Sequence, residues 1–308
     1  MSLAESVVPQ SLADSGVSPE EWALRVRLAS AYHVVEHLGW TESIYGHITL
    51  KVPGPERHFL INPYGLRYDE VTAENLVKID LDGRPVGPAS HPVNVAGYVI
   101  HSAVHEARDD LACVFHTHTT AGMAVAAQAG GLLPISIHAS GFFERIGYHD
   151  YEGPSLDGNE KIRLVESLGE HKVLILKNHG LLAAGTTLEE AFILMFRLQR
   201  ACEIQVAAQA GGAELVIPAA ETCRAAAEMV DRFLAGNEGY GVENWNLMPG
   251  YAWSTVPTID LLLPLLWRSF HQPDGTRSVP LPRQRFVPFG PVPDPQLVLD
   301  HDQLRRVD

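Results

Sequence analysis

Apolar residues recur every three or four positions in several stretches of the chain, which is the spacing of one buried helix face. Trp22, Val26 and Ala29 show it first, behind a Ser-Pro-Glu-Glu start that is typical of a helix N-terminus. A second such start, Thr-Leu-Glu-Glu, opens the longest stretch, which ends before a Gly-Gly pair. The pattern predicts helices over 18–38, 93–108, 119–129 and 187–210.

Short runs of apolar and β-branched residues lie between these helices and predict strands. "LACVFHTH" is apolar almost to its end, as expected of a buried strand, and "KVLILKNHGLLAAG" predicts two strands around a tight turn. The predicted strands cover 47–52, 58–62, 75–83, 111–118 and, as a pair, 172–185. Because hairpin-length turns join several of them, we expect an α/β fold with a mixed, mainly antiparallel central sheet flanked by helices.

Composition divides the chain into three parts. Residues 1–17 show no helical spacing, and we expect a flexible N-terminal segment. Residues 18–240 contain the predicted helices and strands and form one domain. Tryptophan and proline accumulate afterwards, as in "SVPLPRQRFVPFGPVPDPQ", so we expect 241–308 to be an extension that packs on the domain or on a neighbouring subunit.

Charge and cysteine content narrow the possible partners and the compartment. The formal net charge is −14 and the pI is about 5.5, whereas nucleic acids and anionic membranes bind basic surfaces, so neither is an expected partner. The three cysteines form no Cys-x-x-Cys pair, which indicates a reducing compartment. The first residues lack the basic and apolar segments of a signal peptide. We therefore expect a cytoplasmic protein.

Two histidines one residue apart end the buried run at 111–118. On a strand His116 and His118 project to the same side, so both rings reach one point. Neutral imidazoles bind divalent cations, and a third histidine or a carboxylate would complete a site. His179 is the best third candidate because it lies in an Asn-His-Gly turn after another buried strand. The alternative is a chance pair among 15 histidines.

From about residue 20 to residue 209 the chain resembles the class II aldolase/adducin head-domain family. The resemblance is carried by "INPYGLRYDEVTAENLVKIDLDG", "HSAVHEARDDLACVFHTHTTAG" and "LKNHGLLAAGTTLEEAF". It implies that His116, His118 and His179 match the three metal ligands of the zinc-dependent sugar-phosphate aldolases. It also implies an αβα layered fold and a homotetramer with sites at subunit interfaces.

The sequence departs from those aldolases at positions that contact the substrate. Their catalytic glutamate, nineteen residues before the first ligand histidine, is replaced by Gly97, and their two phosphate-binding serines by Val95 and Ala96. Their Gly-Asn pair on an early loop is Gly-His here, which makes His47 a candidate substrate-binding residue. Another phosphate contact keeps only its glycine. A sugar phosphate is therefore not the expected substrate.

These observations predict a metal-dependent lyase. A divalent ion, Zn²⁺ or Fe²⁺ with Mn²⁺ as a third choice, would hold an acid substrate and stabilise the enolate left by C–C cleavage. The expected reaction is decarboxylation or retro-aldol cleavage of a small unphosphorylated hydroxy or oxo acid, aromatic acids included. One alternative is a non-haem Fe(II) oxygenase that oxidatively decarboxylates an aryl-pyruvate or mandelate-type acid. The other is a non-catalytic interaction domain like adducin, a family member that lacks the ligands this chain retains.

A lyase also needs a proton donor and a substrate pocket. We expect both from "HASGFFERIGYHDYEG" at 138–153, a connection rich in glycine and aromatic residues. The catalytic candidates are Tyr148, His149, Tyr151 and Glu144, with Glu152 as a further acid or fourth ligand. The remaining substrate-binding candidates are Tyr64, Gly65, Phe142 and Phe143. The alternative for each of them is an ordinary role in packing or at the surface.

Overall fold

The structure is a computed structural model that describes residues 8–235, apart from 88, 90, 94 and 154–159. Its strands are β1 (His47–Lys51), β2 (Phe59–Ile61), β3 (Val77–Ile79), β4 (Cys113–Thr117), β5 (Ile146–His149), β6 (Val173–Leu176) and β7 (Gly180–Gly185). They form one sheet in the order β3-β2-β1-β4-β7-β6-β5. All neighbours pair antiparallel except β5 and β6, which are parallel. The expectation of a mixed, mainly antiparallel sheet is confirmed.

Eight α-helices occur in the described part of the chain. They are α1 (Gln10–Ala13), α2 (Pro19–His37), α3 (Val95–Ala107), α4 (Thr120–Ala126), α5 (Ile137–Ser140), α6 (Glu160–Leu168), α7 (Leu188–Gln209) and α8 (Ala220–Ala235). The two expected caps are present: Ser18 Oγ accepts from the backbone N–H of Glu21 at 3.1 Å, and Thr187 Oγ1 from that of Glu190 at 3.1 Å. None of the described helices has both the length and the apolar character needed to span a bilayer.

Helices cover both faces of the sheet. On one face, Leu28 of α2 and Phe192 of α7 share an apolar core with Phe115 of β4. On the other face, Ile100 of α3 packs with Val114 of β4. Val114 and Phe115 belong to different layers because successive strand residues point to opposite sides. The expected αβα layering is confirmed.

The register brings the start of β1, the end of β4 and the start of β7 together along one edge of the sheet, the edge formed by strand ends. His47, the first residue of β1, lies opposite His116 near the end of β4, and His116 lies opposite Leu182 near the start of β7. Since paired residues of antiparallel strands project to the same face, side chains from β1 and β4 meet on the side of the sheet that α3 covers. This edge holds the candidate site.

Several predicted boundaries are wrong. The strand predicted over 75–83 is limited to Val77–Ile79, and the helices predicted over 93–108 and 119–129 are shorter. The predicted connection at 138–153 contains α5 and β5. β5 has four residues, too few for an alternating pattern to stand out, and parallel pairing with β6 stabilises it.

The two ends of the chain have different outcomes. Part of the segment expected to be flexible contains α1, and Leu12 and Val17 pack against Trp22 and Ala73. The contact with Ala73 joins residues distant in sequence, which local spacing does not reveal. The predicted extension at 241–308 lies outside the described residues.

Candidate metal centre

Three histidines meet where β4 ends and β7 begins. His116 lies in β4, His118 follows just after it, and His179 lies in the short turn between β6 and β7. That turn has a left-handed residue, Asn178 with φ 56°, a conformation that asparagine tolerates better than most residues. Gly180 follows, where a Cβ would lie 2.5 Å from a backbone oxygen of β4. The close approach directs His179 towards the end of β4.

The three Nε2 atoms converge. Nε2 of His118 lies 2.7 Å from Nε2 of His116 and 3.0 Å from Nε2 of His179. The possible ligand atoms of all three residues lie within 4.8 Å of one another. His116 is buried, whereas His118 and His179 are half-buried, so the cluster is reached from solvent on their side. The residues singled out from spacing thus lie together in the fold.

Hydrogen bonds from the outer nitrogens fix the ring tautomers. Nδ1 of His116 lies 2.9 Å from the carbonyl oxygen of Leu181, and Nδ1 of His118 lies 2.8 Å from a carboxylate oxygen of Glu42. Since these acceptors require a proton on Nδ1, the lone pairs lie on Nε2, and facing lone pairs repel unless a cation lies between them. Imidazoles backed by a carbonyl and a carboxylate are a donor set that suits Zn²⁺ and similar ions. The residues therefore fit a divalent metal.

Burial favours the neutral form of two of the rings, those of His116 and His179. It lowers the pKa of His116 well below the ordinary 6.5, and the neighbouring His118 and His179 add to that effect. Burial, together with His118, lowers the pKa of His179 to about 4. A ligand nitrogen must be unprotonated, so at neutral pH a cation has no proton to displace from these two rings.

A fourth histidine lies beside the cluster. His47 is 4% exposed, and its Nδ1 lies 3.1 Å from Oδ1 of Asn62. Its ring occupies the space next to Gly97 of α3, where a Cβ would lie 2.8 Å from Cε1 of His47 and closer still to Nε2 and Cδ2. Burial lowers the pKa of His47 to about 4, so this ring is also neutral at pH 7. The structure places this substrate-binding candidate next to the cluster.

Two further buried histidines lie near His47, between α3 and β1. Thr49 Oγ1 lies 2.8 Å from Nδ1 of His101 and 2.8 Å from Nε2 of His105, both on α3. The ring centroid of His101 is 6.0 Å from that of His47 and 6.4 Å from that of His116. Burial lowers the pKa of His101 well below 6.5 and that of His105 to about 3. The hydrogen bonds of His101 and His105 to Thr49 thus hold α3 against β1 next to the cluster.

Two of the catalytic candidates line a cleft beside His179. His149 is buried, with Nε2 3.8 Å from a carboxylate oxygen of Glu160 and 4.0 Å from one of Glu152. Tyr151 is 57% exposed at the mouth of the same cleft. Both therefore border the same cleft as His179.

The structure does not bring four other candidates to the cluster. Tyr148 points to the opposite face of the sheet from the cleft, where its hydroxyl accepts a backbone N–H at 3.1 Å. Glu144 pairs with Arg224 of α8 at 2.9 Å, and that hydrogen bond lowers the pKa of Glu144. Phe142 is buried in the core on the α7 face, and Phe143 lies near the same guanidinium, 5.9 Å from ring centroid to Cζ. The contacts that the structure shows for these four side chains are packing or surface contacts.

The remaining two candidates lie on the loop after β2. The backbone N–H of Tyr64 donates to Pro92 at 2.9 Å, and its side chain is 39% exposed. Gly65 adopts φ 94°, a conformation that favours glycine. The loop begins at Asn62, which contacts His47, so its first residue lies at the same end of the sheet as the cluster.

Sequence reasoning missed two residues that hold the site together. Glu42 contacts His118 across 76 positions, and Asn62 contacts His47 across 15 positions. Glu42 lies outside the quoted motifs, and Asn62 lies in one of them without a spacing that indicates a contact with His47. In the sequence, Glu42 before β1 and Asn62 after β2 resemble ordinary surface residues. Only the register of the sheet brings them to the histidines.

The site and fold agree with comparisons to known proteins. The family model "Class II Aldolase and Adducin N-terminal domain" matches residues 26–206. A Pseudomonas aeruginosa protein that carries the provisional name aldolase class 2 protein is 48% identical over 225 residues, 73% of this chain and 86% of its own length. Alpha-adducin of Rattus norvegicus is 48% identical over 202 residues, 64% of this chain but 27% of its own length.

Two solved structures have the same fold. An aldolase II superfamily protein from Pseudomonas syringae is 48% identical and superposes with a TM-score of 0.74, covering 79% of this chain and 96% of its own. L-fuculose 1-phosphate aldolase from Glaciozyma antarctica is 26% identical with a TM-score of 0.62, covering 74% of this chain and 87% of its own. The likeness extends over the sheet and helices that carry the three histidines.

Proposed function

Because the chain belongs to the class II aldolase and adducin N-terminal domain family, we propose that it is a divalent-metal-dependent lyase. Its reaction is the cleavage of a C–C bond, by retro-aldol reaction or decarboxylation, in a small unphosphorylated hydroxy or oxo acid. The observation that carries the proposal is the convergence of three imidazoles at Nε2 distances of 2.7 and 3.0 Å. Three donors of this kind leave coordination positions for a substrate.

His116, His118 and His179 hold the metal in this proposal. The bound ion supplies a positive charge that stabilises the enolate formed when the C–C bond breaks. Glu42 and the carbonyl of Leu181 orient two of the rings, as hydrogen-bonded partners of metal-bound histidines commonly do. The substrate reaches the cluster from its half-buried side, where His179 also borders a small cleft.

Changes at the expected phosphate-binding positions support an unphosphorylated substrate. The positions that the resemblance assigns to phosphate-binding serines hold valine and alanine, at 95 and 96. On the cleft, Lys177 is paired with Asp150 at 2.7 Å and Arg163 is paired with Glu152. A phosphate dianion needs several donors or cations, whereas a carboxylate can bind the metal itself.

The finer parts of the proposal stay predictions. They are the choice among Zn²⁺, Fe²⁺ and Mn²⁺, the homotetramer, the cytoplasmic location and the packing of residues 241–308. The matched relatives named above are an aldolase class 2 protein, an adducin and aldolases, and no feature of the described residues favours the Fe(II) oxygenase over the lyase. The three retained histidines are the observation that favours an enzyme over a purely structural domain.

Metal analysis combined with a substrate panel tests the function. We expect purified full-length protein to contain about one divalent ion per chain, and chelation to abolish cleavage that readdition restores. The panel consists of unphosphorylated hydroxy and oxo acids, aryl-pyruvates included, with L-fuculose 1-phosphate as the phosphorylated comparison. Products are followed as released carbonyl compound or CO₂, and an oxygen electrode records any dioxygen consumption.

The variant His179→Ala gives the site-specific test. We expect it to lose metal and activity while its circular dichroism spectrum stays that of the parent, since the residue lies in a turn. His37→Ala, a change at the exposed last residue of α2, is the matched control. Metal-free parent protein with no cleavage of any acid would refute the proposal, and cleavage that consumes dioxygen would replace the lyase with the oxygenase.

A further inference from the structure

A buried nitrogen on the cleft beside His179 has no protein partner. His149, the last residue of β5, is 4% exposed, and its Nε2 makes no hydrogen bond in the described part of the chain. Buried polar atoms in folded proteins are nearly always hydrogen-bonded, because removing them from water without a partner costs free energy. Since His149 lines the cleft, this nitrogen points to a ligand group there.

The neighbouring hydrogen bonds determine which nitrogen of His149 carries the proton. Ser167 Oγ lies 2.7 Å from the carbonyl oxygen of Arg163 and 3.0 Å from Nδ1 of His149. The hydroxyl has one proton, and it donates that proton to the closer carbonyl. Nδ1 is then the donor in the second contact. In the neutral ring Nε2 has the lone pair, so it accepts a hydrogen bond from the group in the cleft.

The atoms that face Nε2 are also acceptors. One carboxylate oxygen of Glu160 lies 3.8 Å from it, and one of Glu152 lies 4.0 Å from it. A group between Nε2 and Glu160 must therefore donate two hydrogen bonds. A hydroxyl has only one proton to donate, whereas a primary ammonium has three. Its positive charge is also attracted by both carboxylates, and hydrogen bonds between charged groups are the strong ones.

The cations of the protein near the cleft occupy other positions. Lys177, which lines the cleft, holds its ammonium 2.7 Å from Asp150. Arg163 of α6 pairs with Glu152, so that carboxylate is shared. Glu160 is 6% exposed, and a buried carboxylate next to an imidazole lone pair favours a cation between them. The position beside Nε2 thus suits a positive donor group supplied by a ligand.

The cleft adjoins the proposed metal centre. β4, β5 and β6 run in the same direction, since β5 and β6 are parallel and β4 and β6 are each antiparallel to β7. Their carboxyl ends, which carry or lead to His118, His149 and His179, lie at one edge of the sheet. His179 belongs to both places, because its Nε2 lies 3.0 Å from Nε2 of His118 and the residue also lines the cleft.

We propose that this cleft binds the primary ammonium group of the substrate, an inference that rests on the function proposed above. The carboxylate end of the substrate binds the metal, and the ammonium donates to Nε2 of His149 and to the carboxylate of Glu160. The substrate class is thereby narrowed to hydroxy or oxo acids that carry an amino group. His149 and Glu160 are the residues that determine this specificity.

Paired acids test the assignment on the metal-loaded full-length protein. The acids are 2-hydroxybutyrate, 2-hydroxypentanoate and 2-hydroxyhexanoate, each with and without an amino group on the last carbon. The hydroxy acid end that binds the metal is the same throughout, and the increasing length samples the distance from the metal to the cleft. Affinity is read from the visible spectrum of the Co²⁺-loaded protein, which changes when an acid binds the ion.

We expect the amino form of at least one length to bind about 10- to 100-fold more tightly than the plain form, the range for hydrogen bonds to a charged group. Glu160→Gln and His149→Asn should each reduce this preference about 10-fold and leave metal content and the affinity for plain acids unchanged. Asparagine keeps a donor for Ser167 and lacks an acceptor at the position of Nε2. Glu166→Gln, an exposed change on the same helix as Glu160, is the matched control and should keep the preference.

Four results would overturn the proposal. They are equal binding of both forms at every length, as in a cleft that holds only water, and a preference that survives both substitutions. They are also a second divalent ion per chain that His149→Asn removes, and methylammonium that improves the binding of plain acids as much as an attached amino group does. Failure of every acid to bind, with or without an amino group, contradicts the proposed function itself.

The tautomer of His149 is measured independently by ¹⁵N NMR. The signals of this ring are identified as those that disappear in His149→Asn. In the protein without an acid at about pH 7.5, we expect a proton on Nδ1 and none on Nε2. A ring that is protonated at both nitrogens, or at Nε2 alone, would present a donor to the cleft and would overturn the proposal.

Discussion

Replacing His105 should change how the protein responds to acid. This imidazole is 1% exposed, lies 4.8 Å from the ring of Phe59 between centroids, and contacts Thr49 Oγ1 at 2.8 Å. Burial lowers its pKa from 6.5 to about 3, and the positive charge of Lys51 on β1 acts in the same direction. The folded chain therefore resists protonation of a group that the unfolded chain protonates readily.

The sign and size of the effect follow from these two values. Below pH 6.5 the unfolded chain binds a proton at His105 that the folded chain does not bind, so the free energy of unfolding falls as the pH falls. The loss amounts to about 1.4 kcal/mol per pH unit until the folded pKa is reached. Between about pH 7.5 and about pH 5, this single group lowers the free energy of unfolding by about 2 kcal/mol.

Urea unfolding of chelator-treated protein at several pH values measures the loss. His105→Gln cannot be protonated, so its deficit relative to the parent at pH 7.5 should shrink by about 2 kcal/mol at pH 5. The chelator removes metal from both proteins, so the other histidines contribute equally to the two stabilities. Their contributions cancel in the difference. Ser102→Ala, a buried change on α3 that removes no titratable group, is the control and should show a constant difference. Parallel stability curves for His105→Gln and the parent would refute the reasoning.

Three further predictions concern the site. Glu42→Gln removes the carboxylate that orients His118 and should weaken metal affinity by about 10- to 100-fold in a chelator competition, whereas Glu74→Gln, an exposed control, should not. Gly180→Ala forces a Cβ against the end of β4 and should lower both metal content and melting temperature; an unchanged melting temperature would contradict this packing. Tyr148→Phe should lose about 1 kcal/mol of stability in urea unfolding and retain full activity. An inactive variant would show that this hydroxyl takes part in catalysis.

The sequence was sufficient to predict the parts of the site that depend on local geometry. His116 and His118 are two residues apart on a strand, and alternation alone puts both rings on one face. His179 follows a buried strand in a turn with glycine, which was enough to nominate it as the third member. The layered architecture followed in the same way, from helical spacing that alternates with short apolar runs.

What the sequence could not predict depends on register between distant segments. Glu42 reaches His118 only because β1 pairs with β4 in one particular register. The neighbours Tyr148 and His149 were both nominated as catalytic, although on a strand one of them had to point away. That distinction required β5, whose four residues gave no readable alternation.

The relation between positions 47 and 97 shows why substitutions in such a site should be interpreted in pairs. Considered by itself, Gly97 indicates that the catalytic glutamate of the sugar-phosphate aldolases is absent. Considered by itself, His47 indicates a substrate contact that differs from theirs. The fold joins the two, because the ring of one fills the space that a side chain at the other would need. Chains of this family that keep the three histidines should therefore have glycine at 97 whenever they have a large ring at 47. A member with both a ring at 47 and a side chain at 97, in the same backbone, would show that the space is not shared.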